Sequence, residues 1–483
     1  MDNTVYIEYR EKSQYPQNNF HPSKKYPEYR YGDYINYTEE NQVYDMIRNL
    51  LYRMGLDKKN FGTTDWNPMG EYIKPGDNVL IKPNWVMNKN KTASKYALDC
   101  LVTHPSCLRA ICDYCLIALK GSGTIVVGDA PMQDCDLDDL LDKARFNELL
   151  KFYKEQKEAV CFKDFRQYRS VFNINKVIIK KIPISGEAID INLGQLSLHE
   201  RRNGKRDYQV DNYSEDDTKR YQDNQKHIYS INRDVLQADV IINFCKPKSH
   251  RLAGFTAAMK NMVGITYDKA SLPHRVAGAV YEGGDAYPEK SVLKKEIDRI
   301  LEKKIKYENN KKLIFATIER LKYGILFLLV KNMNKAPYIK GIWHGNDTIW
   351  RTVIDLNYIV QFADKKGKLQ KEKQRKILNF GDMIIAGDHN GPVNPEPKFV
   401  GALITCKDAV KMDLAICQMI GFSKEKTPLI RAIYNHEVDY LIGDSTKDIT
   451  VQTNMENLSG RLETLQFPVE WNYKPHDAWK GIL

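Results

Sequence analysis

Two lysines and a histidine follow one short apolar run in the middle of the chain. Residues 240–244, VIINF, are too few for a helix and rich in β-branched residues, so they predict a buried strand. Lys246, Lys248 and His250 follow at once. Ligands of α/β proteins bind at the carboxyl ends of strands. We therefore expect a functional site here, because a solvated loop explains one or two of these residues but not the whole group.

Two earlier strands of the predicted sheet also end in polar residues. The run 78–82 ends at Lys82 and is followed by Asn84, and the run 124–128 is followed by Asp129. A lysine at each of two neighbouring strand ends would flank an anion. Asp129 is a candidate ligand or base, and an Asx-turn residue is the equal alternative.

The second half of the chain adds a glycine-rich segment, residues 379–392, with Asp382 as a further candidate base. A polar-aromatic group around residue 346 precedes a predicted helix, a mixture frequent at sugar sites. The remaining candidates for binding an anionic substrate are Lys246, Lys248, Asn261, Asn346, Asp347, Arg351, Asn390 and Gly391.

Helical and strand patterns alternate along much of the chain, which predicts an α/β fold. We expect a mostly parallel sheet flanked by helices, with an antiparallel β elaboration and a helical insertion. The predicted organisation is an extended N-terminal arm over 1–40, an α/β core in two parts over 41–284 and 341–483, the second with the C-terminal tail, and a basic helical insertion over 285–340.

The positive charge is concentrated in one segment. The chain carries a net charge of +11, and residues 290–340 hold 14 Lys and Arg against 5 Asp and Glu. This distribution argues against a nucleic-acid partner. Residues 290–335 form a predicted basic amphipathic hairpin, which suits peripheral contact with an anionic membrane face. A capping subdomain or a dimer contact, and hence a homo-oligomer, is the alternative.

The cysteines and the N-terminus indicate a cytoplasmic protein, peripheral at the inner membrane face if the hairpin binds lipid. Nine cysteines follow no disulfide framework. The first residues lack the apolar core of a signal peptide, and no 18-residue apolar run is present. Cys107, Cys112 and Cys115 imitate an iron–sulfur spacing, but they follow a helical period, so we expect core residues and no cluster. Without a GxGxxG motif we expect no NAD.

Several motifs together resemble the domain-of-unknown-function family 362. They are ADVIIN with KPKSH, KNMVGI, VLIKPNWV, VVGDAP, GNDTIWRTVIDLN and GDMIIAGDHNGPVNPEPK, spread in order over most of residues 75–425. Many members of that family carry an added ferredoxin-type cysteine cluster. This chain has no such motif, which disfavours a redox role. The form with a basic insertion and GNDT resembles members associated with surface-polysaccharide gene sets.

A more distant similarity is to the nickel-pincer lactate racemase fold. That resemblance implies His250, Lys260 and His274, with Gly254 between them and His104 for an earlier histidine, as nickel-cofactor residues. Ala257-Ala258 stands where that family has Gly-Gly. Imidazole suits nickel or zinc and is also a base near neutral pH. The alternative is that His250 and His274 only bind an anion or backbone carbonyls.

The sequence thus predicts a cytosolic enzyme that acts on a small anionic or sugar-derived substrate by a racemase- or epimerase-like proton or hydride transfer. The cofactor is unknown, with a divalent metal as the candidate. We expect four catalytic residues and one further cation around one cavity: His250, Lys260, Asp129, Asp382 and Lys82. The competing functions are a non-catalytic binding protein for an anionic glycan or lipid-linked intermediate, and a redox protein.

Overall fold

One large sheet organises the chain in the computed structural model, which describes residues 3–333, 338–435 and 448–483. The strands are β1 Thr4–Tyr9, β2 Asn78–Lys82, β3 Thr124–Asp129, β4 Val160–Asp164, β5 Tyr168–Phe172, β6 Ile178–Pro183, β7 Ala188–Asn192, β8 Tyr208–Gln209, β9 Ile228–Asn232, β10 Val240–Cys245, β11 Lys248–His250, β12 Gly254–Thr256, β13 Arg275–Val276, β14 Lys376–Asp388, β15 Glu396–Cys406, β16 Thr450–Thr453 and β17 Gly460–Arg461.

Helices lie between these strands. They are α1 Gln42–Arg53, α2 Pro105–Leu119, α3 Leu137–Lys143, α4 Phe146–Glu155, α5 Glu215–Lys219, α6 Arg233–Gln237, α7 Ala258–Asn261, α8 Val292–Asn309, α9 Leu313–Met333, α10 Ile349–Phe362, α11 Ala409–Met419 and α12 Pro428–Tyr434. None of the helices in the described residues is both long and apolar enough to cross a bilayer.

The large sheet has the order β17-β16-β1-β15-β14-β10-β2-β3-β4. The five strands from β14 to β4 are parallel, whereas β15 runs antiparallel to both β14 and β1. Between β4 and β10 the pairs β5–β6 and β7–β9 are antiparallel. The predicted α/β class, with a mostly parallel sheet, an antiparallel elaboration and a helical insertion, is confirmed.

The carboxyl ends of the parallel strands lie at one edge of the sheet. Asn243 of β10 is in register with Lys82 of β2, and Asp129 ends the adjacent strand β3. The apolar residues of β10 are all buried, as expected for a strand covered by helices on both faces. One apolar core contains α1 and α2, and others contain α10 and α11. This arrangement brings the predicted strand-end residues close to one another.

The N-terminal segment 3–40 contributes a strand to the large sheet. Its strand β1, which the sequence analysis did not predict, lies between β15 and β16, with Val5 and Ile7 fully buried. Further along, the Tyr15 side chain is also buried. The segment therefore contributes to the fold and to the polar cluster described below.

The three cysteines with iron–sulfur-like spacing lie in one helix. Cys107, Cys112 and Cys115 all belong to α2 and are fully buried. The helix begins after His104, with Pro105 in its first turn, where proline is well tolerated. The helix predicted from the 3.6-residue period of the apolar side chains is therefore confirmed.

Candidate functional site

A cavity of about 190 Å³ lies at the carboxyl ends of β2 and β3, beside the β11–β12 hairpin. The sequence-predicted residues that line it are Asn84, Asp129, His250, Lys260, Asn261 and His274. The β11–β12 hairpin turns tightly through Gly254, whose φ of +80° favours glycine. The turn brings His250 and the following α7 to the same side of the sheet edge.

Asp129 lines this cavity and forms a buried ion pair with Lys82, which was also expected around the cavity but does not line it. The Nζ of Lys82 lies 2.8 Å from Oδ1 of Asp129. The backbone N–H groups of Ala130 and Trp85 also donate to the Asp129 carboxylate, at 2.8 and 2.6 Å. Burial lowers the pKa of Lys82, and the Asp129 charge opposes that shift. Asp129 is therefore fully engaged in bonds, and its geometry suits positioning better than proton abstraction.

Gly264 makes this packing feasible, a role that the sequence analysis did not assign. A Cβ at residue 264 would lie 1.8 Å from Oδ1 of Asp129 and 2.8 Å from Nζ of Lys82. The Gly264 carbonyl also accepts the N–H of Ala130 at 2.8 Å. The glycine of the KNMVGI motif is thus required by close approach rather than by backbone conformation.

Lys260 presents an ammonium group that no residue in the described part of the chain bonds or pairs with. The side chain is partly exposed to the cavity. Burial first, and then the charges of Arg251 and Lys269, lower the pKa of Lys260 to about 7. A lysine with this pKa exchanges a proton readily at neutral pH.

Helix α7, which carries Lys260, is held by Asp413 of α11. The Asp413 carboxylate accepts the N–H of Ala258 at 2.7 Å and that of Met259 at 3.1 Å. Burial raises the pKa of Asp413 to about 7. The sequence analysis did not single out Asp413, since no local signal shows which residues an internal helix faces.

The two histidines of the cavity have opposite hydrogen-bonding roles. The Nδ1 of His250 accepts the backbone N–H groups of Leu252 and Ala253 at 3.0 and 3.2 Å, so its Nε2 carries the proton. The Nδ1 of His274 donates to the Leu272 carbonyl at 2.7 Å, which leaves a lone pair on Nε2. Burial lowers the pKa of both rings, to about 4 for His274. His250 is therefore a hydrogen-bond donor and His274 an acceptor at neutral pH.

A chain of side-chain amides continues from the cavity into the sheet. Asn84 donates to Oδ1 of Asn261 at 2.9 Å, and Asn261 donates to Oδ1 of Asn243 at 2.8 Å. Behind Asn84, the buried Lys248 donates to Oδ1 of Asn84 at 2.7 Å. Burial, and then Lys246, lowers the pKa of Lys248 to about 7. Lys248 thus orients Asn84 rather than lining the cavity itself.

Lys246 and Asp382 belong to a separate buried cluster that does not line the cavity. The Nζ of Lys246 lies 2.7 Å from Oδ2 of Asp382 and 2.8 Å from the Tyr15 hydroxyl. Tyr15 in turn donates to Oδ1 of Asp382 at 2.5 Å. The His104 ring stacks on the Tyr15 ring at 3.8 Å, and the backbone N–H of His104 donates to Oδ2 of Asp382 at 3.0 Å. The expectation that Asp382 lies around the same cavity as His250 is wrong, because Asp382 lies in the middle of the long strand β14.

The polar group at 346–351 also lies outside the cavity. Asn346 accepts the N–H groups of Thr348 and Ile349 at the start of α10, and it donates to the His274 carbonyl at 2.9 Å. Asp347 and Arg351 form an ion pair of 3.1 Å. These residues stabilise the helix start and support the backbone of His274.

Asn390 and Gly391 line an adjoining open groove of about 400 Å³ that shares Arg251 with the cavity. The Gly391 carbonyl accepts the N–H of Arg251 at 3.2 Å. These two residues are therefore neighbours of the cavity. The sequence analysis missed Arg251 and Lys269, which add positive charge at the cavity wall and had no distinguishing sequence signal.

A larger cavity of about 660 Å³ lies at the opposite edge of the sheet. It reaches the starts of β10 and β14 and contains Arg375 and Lys376. Both cations donate to backbone carbonyls, for example Arg375 to Ala363 at 2.7 Å and Lys376 to Glu71 at 2.9 Å. These two cations are already bonded, so the smaller cavity with Lys260 is the better candidate for chemistry.

The histidine geometry does not fit the metal site that the racemase resemblance implies. A metal needs a nitrogen lone pair, and His250 uses that of Nδ1 to accept two N–H groups. His104 lies against Tyr15 instead of at the cavity. Within 3–333, 338–435 and 448–483, no group of three or more His, Cys, Asp or Glu side chains is arranged to hold a metal. The nickel or zinc hypothesis stays a prediction, and no step below depends on it.

The structure is that of an α/β protein with a cavity at the carboxyl ends of its parallel strands. A family model described as a domain of unknown function, DUF362, matches residues 79–201 and 199–418. These segments cover more than half of the chain, so the protein belongs to the DUF362 family. No curated protein and no solved structure is significantly similar to the chain.

Proposed function

We propose that this protein is an enzyme that binds a small carboxylate or sugar acid at the cavity and moves a proton on it. The observation that carries the proposal is the free ammonium group of Lys260, whose pKa is about 7. A cation that is largely removed from water and has no partner is costly. Retaining one in a cavity is expected when a ligand supplies the missing negative charge or when the group transfers a proton.

The other cavity residues provide the remaining parts of such a reaction. The Nε2–H of His250 donates to a substrate oxygen, and the Arg251 and Lys269 charges attract the carboxylate. Neutral Lys260 removes the proton from the carbon next to the carboxylate and becomes an ammonium. The electron pair of the broken C–H bond moves onto the carboxylate as an enediolate, stabilised by these donors. Delivery of a proton from solvent water to the other face of that carbon gives the epimer, and the Lys260 ammonium then releases its proton to solvent, which regenerates neutral Lys260 and balances the step.

His274 has the lone pair needed to accept a hydrogen bond from a substrate hydroxyl. Its pKa of about 4 keeps the ring neutral at pH 7, so it orients the substrate rather than carrying charge. A hydroxyl beside the carboxylate, as in 2-hydroxy acids and uronates, satisfies this acceptor. The same chemistry is compatible with a role in surface-polysaccharide synthesis.

The test is hydrogen exchange at the substrate carbon. The full chain is incubated in D₂O with each enantiomer of a 2-hydroxy acid, or with a uronate, and loss of the C–H signal is followed by proton NMR. We expect wild type to exchange the proton and Lys260→Met to lower the rate by about 10²-fold or more. His344→Gln, at a histidine outside the cavity, is the matched control and should exchange at the wild-type rate.

Calorimetric titration with the same acids separates an enzyme from a binding protein. Binding without exchange in wild type, weakened modestly by Lys260→Met, would indicate the non-catalytic function instead. Exchange that is lost on chelation and restored by nickel or zinc would contradict the metal-free account given above.

A further inference from the structure

An exposed apolar face runs along helix α9 in the basic insertion. The large apolar residues on this face are all at least 43% exposed. They recur at helical spacing and are Ile314, Phe315, Ile318, Leu321, Ile325, Leu328, Leu329 and Met333. Singly exposed apolar residues are ordinary on protein surfaces, but a continuous row along six turns of helix marks an interaction surface.

The opposite face of α9 is apolar too, and it is already packed. Val330 and the partly buried Tyr323, Leu326 and Phe327 lie against Ile297 of α8. A helix that is apolar on all sides is normally buried on all sides. The outer face of α9 therefore lacks the partner that its composition requires.

The charge around the hairpin decides which partner fits. Residues 290–340 carry 14 Lys and Arg against 5 Asp and Glu. Lys311 and Lys312 at the start of α9, and Lys331 near its end, are exposed. A second copy of the hairpin would bring like charges together, whereas an anionic lipid surface complements them.

We propose that the outer face of α9 docks on an anionic membrane surface, with the helix lying in the plane of the headgroups. Glu319, Arg320 and Lys322 interrupt the apolar sequence, and no described helix is apolar enough to span a bilayer. An amphipathic helix in this orientation inserts its apolar side chains below the headgroups while its lysines reach the phosphates.

Docking would hold the candidate site close to the lipid. Asp298 and Leu301 of α8 line a small groove together with residues 210–213. Residues 210–213 also line the cavity that contains Lys260. The proposal rests on the α9 surface alone and stands whether or not the cavity catalyses proton transfer.

The test is flotation of the full chain with vesicles of phosphatidylcholine alone or with about 30% phosphatidylserine. We expect binding to the anionic vesicles only, weakened by salt at about 0.5 M because the lysine–phosphate attraction is screened. Leu321→Asp with Ile325→Asp should weaken binding at least about 10-fold, since each places a charge in the apolar layer.

The matched control is Ile174→Asp, a substitution at an apolar residue 98% exposed between β5 and β6, which should bind like wild type. Circular dichroism of the double variant checks that α8 and α9 remain helical. Lys311→Gln with Lys312→Gln should weaken binding without changing the apolar face. Absence of binding, binding independent of phosphatidylserine, or a dimer in sedimentation that Leu321→Asp dissociates would overturn the proposal.

Discussion

The Nζ of Lys82 lies 2.8 Å from Oδ1 of Asp129, and both side chains are shielded from solvent. The pair joins the ends of two adjacent parallel strands, and of its two members Asp129 lines the cavity whereas Lys82 does not. Because each charge neutralises the other, neither is available to neutralise a ligand. Arg251 pairs with Asp211, and Lys269 donates to the Ala130 carbonyl. Among the described residues that line the cavity, Lys260 is therefore the lysine without a partner.

Breaking this pair from one side should be strongly destabilising. Asp129→Asn leaves the Lys82 ammonium buried without a counter-charge, so we expect the free energy of unfolding to fall by about 3–5 kcal/mol. Urea denaturation followed by fluorescence measures the change. The double variant Lys82→Met, Asp129→Asn has no buried charge without a counter-charge, so it should regain part of the lost free energy of unfolding. A double variant less stable than Asp129→Asn would contradict the ion-pair account.

Gly264 gives a second, steric test of the same ion pair. Gly264→Ala places a methyl group 1.8 Å from Oδ1 of Asp129, so the pair must separate. We expect a loss of stability of about 3 kcal/mol or more and loss of anion binding. Gly324→Ala is the matched control: its nearest atom is an Arg320 nitrogen at 3.8 Å, and alanine in α9 should stabilise by about 0.5–1 kcal/mol.

The parallel part of the fold and half of the site could be predicted because they depend on local patterns. Short β-branched runs mark parallel strands, and parallel strands end at one edge of the sheet. Lys82 is therefore paired with Asp129, and Asp129 and His250 line the same cavity. The same reasoning failed for Asp382, because the GDMIIAGD run continues as one 13-residue strand and Asp382 is not at its end.

The remaining positions depend on contacts between residues far apart in the sequence. Tyr15 bonds Lys246 from 231 residues away, and no local pattern indicates that contact. Proline 247 interrupts the strand between Lys246 and Lys248, so strand alternation could not tell which lysine lies nearer the cavity. The opposite roles of His250 and His274 follow from backbone groups that only the folded chain brings near their rings.

The Tyr15 cluster should matter for stability and not for ligand binding. Tyr15→Phe removes a buried hydroxyl that bonds both Asp382 and Lys246, so we expect a loss of about 1–3 kcal/mol. Affinity for a small carboxylate, measured by calorimetry, should not change, because none of these groups lines the cavity. Tyr37→Phe, at an arm tyrosine that is 78% exposed, should leave both properties unaltered; a drop in affinity for Tyr15→Phe alone would connect the two clusters.

Lys260→Met should make the protein more stable at neutral pH while removing its function. The pKa of Lys260 falls from 10.5 to about 7 on folding, so between these values the unfolded chain binds more protons than the folded one. The free energy of unfolding of wild type therefore rises with pH between about 7 and 10.5. The destabilisation that the Lys260 charge causes is complete below pH 7. The gain from Lys260→Met should be largest below pH 7, about 1 kcal/mol or more, and absent above pH 10.5.

Thermal and urea unfolding of both proteins across this pH range measure the difference. Lys312→Met, at an exposed lysine of the insertion, is the control and should shift stability by less than about 0.5 kcal/mol at every pH. Labelling with an amine reagent at pH 7 gives an independent readout, since a lysine with a lowered pKa reacts faster than the solvated ones. Equal stability of wild type and Lys260→Met at all pH values, with slow labelling of Lys260, would show that the ammonium group has a partner in solution and would remove the basis of the proposed reaction.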